Sequence, residues 1–95
     1  MIPDYQTLMR PLLECIQDGQ EHLFKNVIEQ LADRFELTQE EREQLAPSGH
    51  SALFSGRVGW AKTYLKKAGL LEQRKRGILS ITSLGIKALK SKKKI

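Results

Sequence analysis

Ninety-five residues, 40% hydrophobic and 28% charged, suit one small globular domain and exclude a disordered chain. A single cysteine, Cys15, excludes an internal disulfide and a cysteine-based zinc site, and apolar runs of only a few residues exclude a membrane span. The net charge of +5 conceals a division: residues 1–48 carry four basic and ten acidic side chains (net −6), residues 49–95 twelve basic ones and a single acid, Glu72 (net +11). Charge separated in this way points to a polyanionic partner met by the C-terminal half.

The first predicted element is a helix. Tyr5, Leu8, Met9, Leu12, Leu13 and Ile16 recur at three- and four-residue spacing, with Asp4 as its cap and Gly19 as its stop. Pro11 lies inside the pattern and is expected to kink the helix or mark a restart near residue 10. Cys15 sits on the flank of the apolar stripe and reads as a buried structural thiol, since no neighbouring feature would lower its pKa. Nothing in the N-terminal stretch has the form of a signal peptide, and together with the lone thiol this suits a cytoplasmic setting.

Residues 21–23 read as a short extended segment. Phe24, Val27, Ile28, Leu31, Ala32 and Phe35 then define a second helix. "TQEE", Thr38–Glu41, is a capping box that opens a short third helix ending before Pro47. "PSGHS", residues 47–51, is a loop. A long helix follows from about Leu53 to Ala68, with Gly69 at its C-terminal end. "LLEQR" (70–74) and "ILSI" (78–81) read as two strands joined by "KRG", where Gly77 can take positive φ. Thr82 caps a last helix whose Leu84, Ile86 and Leu89 are expected to pack inward, and residues 91–95 form a basic tail or the start of a linker. The predicted fold is mainly α with a small β-hairpin, a winged helix-turn-helix spanning residues 1–90.

On a helical wheel the long helix has two characters. Val58, Ala61, Leu65 and Ala68 form a core arc, with Arg57 and Tyr64 at its edge. The opposite arc holds Ser55, Gly56, Gly59, Lys62, Thr63, Lys66 and Lys67. Its lysines can neutralise phosphates, and Ser55 and Thr63 can hydrogen-bond phosphates or base edges. Trp60, between the faces, is expected to pack on the first helix. Arg57 could pair with an acid of the first half or meet a phosphate, and Gly59 could serve close helix packing or a flat approach to a duplex; the sequence leaves both open. Arg74, Lys75 and Arg76 on the hairpin form a basic wing that can straddle a phosphate backbone or probe the minor groove. The candidate contacts with double-stranded DNA are therefore Ser55, Arg57, Lys62, Thr63, Lys66, Lys67, Arg74, Lys75 and Arg76.

Catalytic patterning is missing. His22 and His50 belong to no ligand-spaced motif, no phosphate loop of recognised spacing occurs, and Glu72 has no carboxylate partner in its half of the chain. No cofactor, metal or active site is expected.

"PLLECIQDGQ", "RVGWAKTYLKKAGLL" (57–71) and "RG…ITSLG" (76–85) occur in an order that resembles the N-terminal domain of Mrr-type restriction endonucleases, over about Pro3 to Leu89. The resemblance implies a winged-helix module that targets a nuclease to DNA. In the full-length family a metal-dependent nuclease domain follows in cis and cleaves modified, methylated foreign DNA; both that domain and methyl recognition come from the resemblance alone. Two further readings stay open: a winged-helix transcriptional regulator, and a winged helix used for protein contact. The sequence also leaves open a homodimer.

Overall fold

A computed structural model of the chain describes residues 2–46, 49 and 52–91. Helix α1, Tyr5–Cys15, begins where the Asp4 carboxylate accepts a hydrogen bond from the Thr7 N–H at 2.8 Å. That bond, with the Arg57 charge nearby, holds the Asp4 carboxyl below the usual carboxylate range. The expected restart near residue 10 does not occur, because α1 runs through Pro11 as one element. Its Leu8, Leu12 and Leu13, with Ile16 just beyond, are fully buried and form the platform of the core. Each such side chain contributes about 1.5–3 kcal/mol on burial. Cys15 is partly buried, and desolvation pushes its thiol pKa up, which suits a structural thiol.

The extended segment His22–Leu23 is a true strand, β1, and it leads directly into α2, Phe24–Arg34. No glycine ends α2. Glu36 takes the left-handed conformation there (φ 53°), and the Leu37 N–H closes back on the Ala32 carbonyl at 3.0 Å. Helix α3, Gln39–Glu43, opens with the complete capping box read from Thr38 and Glu41. Arg42 ties α3 to α2 through Asp33 (2.8 Å), Glu29 (3.4 Å) and the Leu37 carbonyl (3.2 Å). An isolated bridge, Leu45 to Ala52, then brings the chain into α4, Leu53–Lys67. The loop and tail expectations fall largely on residues 47, 48, 50, 51 and 92–95, outside the described residues; His50 is among them.

Helix α4 lies on α1, with Phe54, Val58, Ala61 and Leu65 buried. Ala68 leaves the core arc: it is the C-cap, beyond the last turn that α1 covers, and it is exposed. Gly69 (φ 76°) reverses the chain into β2, Leu71–Lys75, one residue later than its sequence reading, and Gly77 (φ 78°) turns it into β3, Ile78–Ile81. The sheet has three strands in the order β1-β3-β2, all antiparallel, so the hairpin is not a free ribbon. Helix α5, Ser83–Lys90, starts at Thr82, whose hydroxyl accepts from the Gly85 N–H at 3.1 Å. Ile86 and Leu89 pack against the core as expected, but Leu84 is 53% exposed. The residue facing inward there is Gly85, which lets α5 lie against the backbone of Leu70.

Candidate nucleic-acid interface

Phe24 fixes the relation between α4 and the wing. Its backbone N–H donates to the Gly77 carbonyl in the wing turn at 2.7 Å, and its ring carries the Lys62 ammonium 4.5 Å from the centroid. One residue at the β1–α2 junction therefore touches both basic elements. Thr82 secures the other end of the hairpin, donating its hydroxyl to the Gly69 carbonyl at 2.6 Å and its N–H to the Leu70 carbonyl at 3.2 Å.

The outward face of α4 is concave in two places. Lys62, Thr63, Lys66 and Lys67 line a groove of about 430 Å³ together with Gln73 of β2. Gly56, Gly59, Trp60, Lys62 and Thr63 line a second hollow of about 270 Å³. The shared residues make these one continuous face. Gln73 escaped the sequence reading because a glutamine in a short strand carries no signal of its own; a β-bulge register shift lies between its neighbours Glu72 and Lys75. Its amide can both donate and accept.

The candidate cations divide by what they already hold. Arg57 donates to the Ile2 and Pro3 carbonyls at 3.0 and 3.3 Å, so it anchors the N-terminal segment on α4. Arg74 pairs with Glu72 at 3.0 Å, and Ser80 shares the same carboxylate oxygen at 3.4 Å. Arg10 and Arg34 meet Glu14, and Arg10 also reaches the Leu89 carbonyl at 2.8 Å. Every arginine except Arg76 thus has an internal partner. Lys66, Lys67, Lys75 and Arg76 are exposed and make no ion pair among the described residues. Lys62 and Ser55 are half-buried, and the Thr63 hydroxyl donates to the Gly59 carbonyl at 3.0 Å, keeping its lone pairs outward.

One sequence expectation fails on this face, and one open choice closes. Trp60 does not pack on α1: it is 59% exposed. Helix geometry explains this, since at about 100° per residue Trp60 lies within roughly 20° of Lys67 and 40° of Gly56 around the axis. Gly59 does not serve close helix packing either. A side chain at Gly56 or Gly59 would meet nothing within 4 Å, so both glycines bare the backbone to open space.

Among the described residues no group of three or more His, Cys, Asp or Glu side chains could hold a metal, and no helix is long and apolar enough to cross a membrane. His22 is engaged with Asp18 at 2.8 Å, a contact that lowers the Asp18 pKa.

The element order and the β1-β3-β2 sheet give a mainly helical fold with a small three-stranded antiparallel sheet, an arrangement consistent with a winged helix. The chain belongs to the Mrr N-terminal domain family, which its residues 5–91 match. No curated protein and no solved structure matches it.

Proposed function

We propose that this domain binds double-stranded DNA for an Mrr-type restriction system, with α4 in the major groove and the β2–β3 wing on the adjacent backbone. The observation that carries the reading is the division of the cations. Folding engages the other arginines, and among the described residues the exposed cations without an ion pair include Lys66, Lys67, Lys75 and Arg76, which lie on two elements held together through Phe24. Unpaired lysines beside a groove can neutralise phosphates and so release the counterions condensed on the duplex. Lys62, Thr63 and Gln73 line the groove and, with the half-buried Ser55 of the same helix as Lys62, are the candidates for polar contacts to base edges or sugar-phosphate. Arg57 serves chiefly to position α4 against the N-terminal segment, whereas the exposed Arg74–Glu72 pair lies within one strand and leaves Arg74 within reach of a phosphate. A duplex so held would deliver a nuclease domain linked in cis to its substrate, and a methyl preference would belong to the base-facing residues.

The bare backbone at Gly56 and Gly59 tests this assignment. Replacing both by Ala should stabilise α4 by about 1 kcal/mol per site, because glycine is that unfavourable in a helix and the new methyl groups meet nothing. The same methyl groups would stand between the helix and a groove floor, so duplex affinity should fall while the melting temperature rises. A thermal melt and an anisotropy titration with labelled duplex read the two effects separately. Raised stability with unchanged affinity would remove this face from the DNA contact.

A further inference from the structure

Trp60 is the chain's only tryptophan, and its exposed position is not explained by phosphate binding. An indole in water forgoes the burial that makes tryptophan a core residue. Here it is held in place. Tyr5, partly buried against the core, stacks on Tyr64 with ring centroids 5.0 Å apart and planes at 21°. Tyr64 in turn lies 6.1 Å from Trp60 at 32°. The three rings form a ladder rooted in the core, with Trp60 at its open end. Beside it is the 270 Å³ hollow, bounded by Gly56 and Gly59, where no side chain intrudes, and by Lys62 and Thr63. The surroundings are cationic and hydroxylic, so the ligand that fits joins a flat π face to negative charge. A nucleobase on its phosphate backbone has that chemistry.

In an intact duplex the base faces are covered by stacking, and only edges reach the groove. An indole can stack only on a base that has left the stack. We propose that the hollow at Gly56, Gly59 and Trp60 receives an unstacked nucleobase on the Trp60 ring, so that the domain prefers duplex with an unpaired nucleotide over perfect duplex. This rests on the DNA-binding reading above and adds a structural preference to it. Thr63, whose hydroxyl proton is held by the Gly59 carbonyl, presents an acceptor to the edge of such a base.

The test uses two fluorescein-labelled duplexes identical except for one extra unpaired adenine. Anisotropy reports affinity, and Trp60 emission, free of any other tryptophan, reports stacking. The bulged duplex should bind about tenfold more tightly, the scale of one base–aromatic stack, and should alone quench the indole. Trp60→Leu should bring the ratio of the two affinities to near one, whereas Trp60→Phe, which keeps a ring, should retain a preference. Equal affinities with unchanged emission would overturn the inference and leave the DNA reading standing, as would a preference that survives Trp60→Leu. Absence of binding to either duplex would overturn both.

Discussion

Raising salt from about 50 to about 200 mM should weaken duplex binding by about 10²–10³-fold. On the proposed reading the free cations on α4 and the wing, with Lys62, would make about 4–6 phosphate contacts, each releasing counterions, for a slope of log K against log salt of roughly −4 to −5. The acidic half of the domain does not cancel this. Three of its acids are engaged internally, Glu14 by Arg10 and Arg34, and Asp33 and Glu29 by Arg42, and the net −6 that remains lowers the affinity without changing the number of phosphate contacts that sets the slope. An anisotropy series across that salt range measures the slope directly. A flat dependence would mean that Lys66, Lys67, Lys75 and Arg76 do not meet phosphates.

Replacing Gly85 by Ala should destabilise the fold by a net ~1–3 kcal/mol. A Cβ at Gly85 would collide with the Leu70 carbonyl oxygen and lie 2.7 Å from Cγ1 of Ile81. The carbonyl cannot retreat freely, because it accepts the Thr82 N–H, and Thr82 also holds the Gly69 carbonyl. Overpacking therefore outweighs the ~1 kcal/mol that alanine gains over glycine in a helix. For a chain of this size the melting temperature should drop by about 5–20 °C. A variant that melts like the parent would show that α5 can lift away from the hairpin without loss.

Much of the fold is legible because its signals are local. The Thr38–Glu41 capping box, the Asp4 and Thr82 caps and the glycine turns at 69 and 77 act within a few residues, and each does what its sequence indicates. The failures are tertiary. The extended segment at His22 and Leu23 is legible, but its place in the sheet is not, because Leu79 and Ile78 arrive beside it from far along the chain. Leu84 looked like core by type, but the inward position on α5 is taken by Gly85, whose value lies in having no side chain. Trp60 reads as a core residue by its chemistry, although its angular position places it with Lys67 and Gly56.

The candidate site divides in the same way. The two basic elements are plain from the charge count, and their pairing as helix and wing follows from the element order. Which cations are free is not, because an arginine's partner is set by distant backbone: Ile2 and Pro3 for Arg57, Leu89 for Arg10. Gln73 joins the face only through the way β2 lies against α4.

On the proposed function, α4 and the wing grip one duplex together. This is tested most directly by duplex titrations of Lys66→Ala/Lys67→Ala and of Lys75→Ala/Arg76→Ala, each checked for folding by circular dichroism. These side chains are exposed and off the core face, so both variants should keep the parent spectrum. Each should bind more weakly and lower the salt slope by roughly 2, one per lost phosphate contact. Intact spectra with unchanged affinity and slope in both variants would contradict the claim and make the positive charge incidental.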